Sequence, residues 1–242
     1  MHTLWTNLIY EPIYNALIFI AQHVTLGDVG LAVVILTIII RFILLPLSKK
    51  SIASQYKMKL LEPKLAAIKA RGLSKEEESK ETFALYKAEG INPFSGCLYL
   101  LIQLPFLFAL YFTFIHGVNQ PDHLYSFLST DNLHNTLLGL IDITKPFLPL
   151  AILAGVSQAI QAMLAPKPPA SSGKEGGFQA QFAKSLSVQT KYVLPIIIIV
   201  IASRLAAAVS LYWVITNIFS ILQELYFRKR LAPQTITATI IK

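Results

Sequence analysis

A single arginine lies inside an otherwise apolar stretch early in the chain. The stretch GLAVVILTIIIRFILLPLSKK covers residues 30–50, and Arg41 is the first Lys or Arg of the sequence. Moving a guanidinium from water into hydrocarbon costs about 2.5–3.5 kcal/mol on cell-insertion scales. Two interpretations remain open: the side chain reaches back to the membrane surface, or it lies in a hydrated site within the bilayer, where it attracts acidic groups.

Other polar side chains interrupt the later apolar stretches and are candidates for the same site. Each one alone is typical of a hydrogen bond between membrane helices, but together they could line a wet cavity reached from the cytoplasm. Asn217 and Ser220 share a helical face with Trp213 and Glu224. The candidate polar residues are Arg41, Thr37, Gln103, Gln158, Gln161, Thr216, Asn217 and Ser220.

The composition indicates that these residues belong to a membrane protein. Of 242 residues, 54% are hydrophobic and only 14% are charged, against about 25% charged in soluble domains. The net charge of +8 fits basic cytoplasmic loops. Nucleic-acid binding is the weaker alternative, because the basic residues alternate with apolar segments. One cysteine excludes an intrachain disulfide, and no histidine has a partner at metal-ligand spacing, so we expect no metal and no cofactor.

The hydropathy pattern predicts an all-α polytopic membrane protein with five transmembrane helices. The predicted segments are an outer-side interfacial amphipathic helix at 1–28, spans at 29–47, 93–117, 146–165, 188–203 and 207–227, a cytoplasmic helical hairpin at 48–92, an outer loop at 118–145, a cytoplasmic loop at 166–187 and a cytoplasmic tail at 228–242.

Local signals refine two of these segments. In the N-terminal stretch 4–24 we favour an interfacial helix over a span, because a span would put Glu11 deep in lipid without an evident partner. In the hairpin, Ser74 and Glu77 have the spacing of a capping box. Gly72 suits a helix C-cap, and Pro63 predicts a bend or restart near residue 62.

The basic residues predict the orientation in the membrane. The segments 48–92, 166–191 and 228–242 hold ten, four and four of the 21 Lys and Arg residues. Because such residues accumulate on the cytoplasmic side, the N-terminus is predicted outside and the C-terminus inside.

Enzyme classes find little support in the sequence. Among the predicted spans, only the outer edge of the second carries a histidine, His116, so a Ser-His intramembrane protease lacks its base. Neither a phosphate-binding G-x-x-x-x-G-K-[ST] loop nor an H-E-x-x-H motif occurs. We therefore expect no enzyme, and the alternatives that remain open are a lipid scramblase-like or an ion-conducting bundle.

Several long motifs resemble one family. LTIIIRFILLPLSKKS, ALYKAEGINPFSGCLYLLIQLPFLFALY and VSLYWVITNIFSILQELY resemble the YidC family of membrane protein insertases, bacterial members of the YidC/Oxa/Alb group, and the resemblance extends over residues 12–230. It implies a five-span bundle in the bacterial inner membrane, with a hydrophilic groove open to the cytoplasm and to lipid. The family's groove arginine falls on Arg41, its polar groove positions on Gln158 or Gln161, and an aromatic position on Trp213.

The resemblance also implies function and partners. An insertase receives nascent membrane proteins, favouring short segments with few charges and acidic N-terminal tails, and releases their hydrophobic parts into lipid. The expected partners are ribosome–nascent chains and membrane lipids, with the Sec translocon and the signal recognition pathway as further candidates and no specific nucleic acid. The cytoplasmic hairpin, here 48–92, is required in the family.

Overall fold

The computed structural model describes residues 2–92, 95–165 and 188–240, and side chains within 4–92, 101–165 and 188–229. Apart from one small β-hairpin, its regular elements are helical. The helices are α1 (His2–Trp5), α2 (Glu11–His23), α3 (Val29–Ile43), α4 (Leu45–Leu60), α5 (Glu62–Ala70), α6 (Lys75–Ala88), α7 (Ser95–Ile115), α8 (Leu148–Leu164), α9 (Leu194–Ala202) and α10 (Ala207–Ile240), with π-helical turns at Thr6–Tyr10 and Gln189–Val193 and a 3₁₀ turn at Pro121–His123.

Four helices form a bundle whose two ends differ. At one end, here called the loop end, the segments 24–28, 116–147 and 203–207 meet: the N–H of Val29 donates to His134 O at 3.0 Å, and the N–H of Ala207 donates to Lys145 O at 2.9 Å. At the opposite end, the hairpin end, α3 passes into α4. The helices α3, α7, α8 and α10 run between these ends, and α10 packs against α8 and α3.

The main apolar core lies toward the loop end. It joins α2, the buried face of α3 as far as Ile40, the last turns of α7 and the first turns of α10, with Tyr14, Leu17 and Ile18 fully buried. The strands β1 (Thr136–Leu137) and β2 (Ile141–Asp142) form an antiparallel pair at this end. A Cβ at Gly30 would lie 2.7 Å from Leu137 Cα, so the close approach of β1 to α3 requires glycine there.

The helix α2 lies along the loop that follows α7. The Tyr14 hydroxyl donates to Val118 O at 2.8 Å, the Asn15 amide donates to His123 O at 2.8 Å, and the N–H of Tyr125 donates to Asn15 Oδ1 at 2.8 Å. The apolar face that we assigned to the membrane interface is thus packed on protein. Glu11, for which the sequence showed no partner, lies 3.1 Å from His123 Nδ1.

Local signals account for the hairpin between α5 and α6. The predicted capping box is confirmed, because Ser74 Oγ accepts from the N–H of Glu77 and the Glu77 carboxylate accepts from the N–H of Ser74. The Ser74 hydroxyl, which donates to the Glu77 carboxylate at 2.8 Å, and the N–H of Ser74 lower the pKa of Glu77. Gly72 takes a positive φ of 65°, and Pro63 stands in the first turn of α5. Arg71 and Glu81 join the two helices.

By length and apolar composition, one helix among the described residues is a clear membrane-span candidate, Ala207–Lys229. A second candidate is the pair α3 and α4, which are bent by 60° at Leu44. The other apolar helices are shorter, at Leu101–Ile115, Leu148–Leu164 and Gln189–Ala202. The predicted first span, 29–47, therefore does not form one straight helix. Pro46 stands in the first turn of α4 and fits a restart there. The predicted loop 166–187 lies outside the described residues.

Candidate polar cavity at the hairpin end

The two candidate residues of α3 lie on its buried face. Thr37 is 1% exposed and Arg41 is 3% exposed. The Thr37 hydroxyl donates to Val33 O at 2.6 Å, within its own helix. A guanidinium that protein covers to this extent does not fit the alternative in which Arg41 extends along the lipid-facing surface. The structure therefore favours a protein-enclosed arginine near the hairpin end of the bundle.

A polar contact joins α8 to α10 in the same half of the bundle. Asn217 is 3% exposed, and its amide donates to Ser157 Oγ at 3.0 Å and to Ala154 O at 3.3 Å. Along α8, the Gln158 amide donates to Gln161 Oε1 at 3.1 Å. Since hydrocarbon offers no hydrogen bonds, such polar pairs fix the relative positions of neighbouring helices.

Two candidate residues between α7 and α10 have spare hydrogen-bonding capacity. The Gln103 amide donates to the Tyr212 hydroxyl. Its Oε1 atom and the Oγ1 atom of Thr216 are both buried, and neither has a hydrogen-bond partner among the described residues. Burying such an atom without a partner costs free energy, so these positions favour water or a polar group of a bound molecule.

The helix α4 supplies polar residues that sequence reasoning missed. Ser48 and Ser51 are buried, and the Gln223 amide of α10 donates to Ser48 Oγ at 2.9 Å. About two turns further along α4, the Tyr56 hydroxyl donates to Glu224 Oε1 at 2.7 Å. Although α4 carries several lysines, the bend at Leu44 lays its first half against α10.

These contacts surround a small polar cavity between α4, α8 and α10. Its volume is about 90 Å³. The lining residues are Ser48, Ser51, Ile52, Gln55, Gln161, Ala165, Ser220, Gln223 and Glu224. We call this space the hairpin-end cavity. Of the predicted site residues, only Gln161 and Ser220 line it. Gln158, three residues earlier on α8, donates to Gln161.

The remaining candidates surround this space without lining it. Trp213 packs against an apolar cluster of Ala154, Ile198 and Val214. Gln103 and Thr216 lie at the contact between α7 and α10, and Ser220 donates to Thr216 O at 2.9 Å. One sequence signal could have identified the missed residues, because Ser48, Ser51 and Gln55 recur at helical spacing directly after the apolar stretch.

The described part of the chain brings no three His, Cys, Asp or Glu side chains together as a possible metal site. What the arrangement offers is a set of hydrogen-bonding groups with one buried cation, Arg41, and one buried carboxylate, Glu224. Such groups can bind and solvate polar or charged parts of another molecule.

Comparisons with family models and with curated proteins indicate the same family. The family model described as 60Kd inner membrane protein matches residues 19–234. A membrane protein insertase YidC from Stutzerimonas stutzeri (strain A1501) is 33% identical over 228 residues, which is 90% of this chain and 37% of the relative. The YidC insertase from Pseudomonas putida (strain GB-1) is 34% identical over 232 residues, 92% of this chain and 37% of the relative.

A solved structure, described as active YidC insertase with the first transmembrane domain resolved, has the same fold. The TM-score is 0.57 at 20% sequence identity, covering 88% of this chain and 45% of that one. The chain spans a little over a third of the length of the curated relatives that it matches.

Proposed function

Because the chain belongs to the 60Kd inner membrane protein family, that of the YidC/Oxa/Alb insertases, we propose that it is a non-enzymatic insertase for nascent membrane proteins. Membership of this family confirms the resemblance that the sequence motifs indicated, together with the inner-membrane location. The activity, the substrates and the partners are our proposal for this chain.

The proposed topology has five spans, with the N-terminus outside and the C-terminus inside. The basic hairpin and tail then lie in the cytoplasm, as the positive-inside rule requires. The loop end faces outward, where α2 packs across the bundle. The hairpin end faces the cytoplasm and carries the polar cavity.

One observation carries the functional proposal: buried polar side chains concentrate in the cytoplasmic half of the bundle, around Arg41 and the hairpin-end cavity. A substrate's polar tail must cross hydrocarbon to reach the outer side, and hydrated groups within the membrane shorten that path. Arg41 attracts acidic residues of the tail. The membrane potential, at about 2.3 kcal/mol per charge per 100 mV, then draws them outward.

The substrate's hydrophobic segment follows a different path. We propose that it moves along α7 and α10 into lipid, because both helices present exposed apolar side chains such as Leu101, Phe108, Ile218 and Leu222. Short segments with few charges suit this route, and no nucleotide is needed. Ribosome–nascent chains deliver the substrate, with the Sec translocon and the signal recognition pathway as candidate partners.

The test is insertion into proteoliposomes that contain this protein alone. A ribosome-synthesised single-span substrate with a short acidic N-terminal tail is scored by protease protection, beside the same substrate with a neutral tail. We expect protection well above that of empty liposomes. The variant Arg41→Ala should reduce insertion of the acidic-tailed substrate several-fold more than that of the neutral one.

The matched control is Arg204→Ala, which removes an exposed arginine at the loop end and should leave both substrates unaffected. An equal loss with Arg41→Ala for both tails would contradict the electrostatic role of Arg41. Absence of insertion by correctly oriented protein, together with lipid scrambling in the same vesicles, would instead favour the scramblase alternative.

A further inference from the structure

Glu224 is an acidic residue in a buried position at the hairpin-end cavity. It is 7% exposed and lines the cavity together with neutral polar side chains. A carboxylate has about four acceptor positions. The described structure fills one of them with the Tyr56 hydroxyl, at 2.7 Å, so acceptor capacity is left for a donor within the cavity.

In the part of the chain whose side chains the structure describes, this carboxylate has no cation within ion-pair distance, although the charge of Arg228 acts on it. Arg228, one turn further along α10, is exposed. A buried carboxylate without a paired cation is costly, and this cost falls when a cation enters the cavity.

The size of the cavity limits what can enter. Its volume of about 90 Å³ exceeds the ~10–15 Å³ that a single water molecule requires. That is room for one ammonium or guanidinium head group with little water, and too little for a length of polypeptide. The amide and hydroxyl oxygens of Gln55, Gln161 and Ser220 can accept further hydrogen bonds from such a head group.

We propose that the hairpin-end cavity binds the Lys or Arg side chain that follows a substrate's hydrophobic segment, with Glu224 as its counter-ion. This inference rests on the proposed insertase function. It adds to Arg41 a second site that binds charged residues of the substrate. Arg41 attracts the acidic tail that crosses the membrane, and Glu224 holds the basic flank that stays behind. The substrate's charges on both sides of its hydrophobic segment would thereby set its orientation.

The test compares two substrates that differ only in this flanking residue, Lys or Gln. A photo-reactive diazirine analogue of leucine, close in size to isoleucine, replaces Ile52, which lines the cavity, in the reconstituted full chain. Cross-linking yield reports occupancy of the cavity, and protease protection reports insertion separately. We expect about tenfold preference for the Lys flank, equivalent to ~1.4 kcal/mol. The variant Glu224→Gln should abolish this preference, so that the two substrates cross-link equally.

Two further variants separate binding from a structural role. Glu76→Gln removes an exposed acid of α6 and should leave the preference intact. Tyr56→Phe removes the hydroxyl donor but keeps the carboxylate, so the preference should persist. The inference is overturned if wild type cross-links both flanks equally, or if Tyr56→Phe abolishes the preference as Glu224→Gln does. Failure of wild type to insert even the Gln-flanked substrate would refute the proposed function, whichever cross-linking result accompanies it.

Discussion

The two ends of the bundle use buried polar groups in opposite ways. At the loop end, Tyr14 and Asn15 hydrogen-bond the backbone of the loop that follows α7 and close the apolar core. At the hairpin end, Ser48, Gln223 and Glu224 surround a cavity. The same kinds of side chain thus seal one end and hold a polar space open at the other. We infer that the contacts at the loop end mainly stabilise the fold, whereas the polar groups at the hairpin end mainly serve insertion of the substrate.

The largest expected effect is on stability, at the loop end. Leu17 is fully buried in the main core, and Leu17→Ala should cost about 2–5 kcal/mol, because it removes packing and leaves a cavity. Thermal unfolding in detergent measures the change. Leu222→Ala, at a 60% exposed position of α10, is the matched control and should lower Tm far less. A similar decrease in Tm for the two variants would contradict the inference that the loop-end core stabilises the protein.

A smaller stability effect with a larger functional effect is expected at the hairpin end. Asn217→Leu removes the amide that joins α10 to Ser157 and Ala154 on α8. Hydrogen bonds between membrane helices average about 0.6 kcal/mol, so Tm should change little, while insertion in proteoliposomes falls several-fold. If Asn217→Leu instead destabilises the protein as strongly as Leu17→Ala, the hairpin end is also part of the structural core.

The smallest effect concerns acid stability of the loop end. The carboxylate of Asp142 lies 2.8 Å from Lys145 Nζ and accepts from the Thr144 hydroxyl. These contacts lower the pKa of Asp142 from 3.8 to about 2. The stabilisation from these contacts is therefore complete above pH 3.8, the ordinary pKa of the carboxyl group, and is lost as the pH falls through about 2.

Because Asp142 is exposed to solvent, the effect should be slight. Melting curves of the wild type and of Asp142→Asn, recorded from neutral pH downward, should converge at the acid limit. A difference in Tm between the two proteins that grows on acidification would contradict the predicted direction of the pH dependence.

Local sequence patterns were sufficient for the helical class and for the Ser74–Glu77 capping box. They could not provide contacts that depend on long-range geometry. Tyr56 and Glu224 are 168 positions apart, and their contact depends on the 60° bend at Leu44. The partner of Glu11, His123, is likewise 112 positions away.

The most direct test of the central claim compares two serines of α10. Ser210 is fully buried in the loop-end half, whereas Ser220 lines the hairpin-end cavity. In a Cys97→Ser background, which removes the one native cysteine, Ser210→Cys and Ser220→Cys are exposed in membrane vesicles to a membrane-impermeant maleimide. We predict that the cysteine at position 220 is labelled from the cytoplasmic side and that the one at 210 is labelled from neither side. Equal labelling of both positions, or of neither, would contradict an account in which one end is sealed and the other open to water.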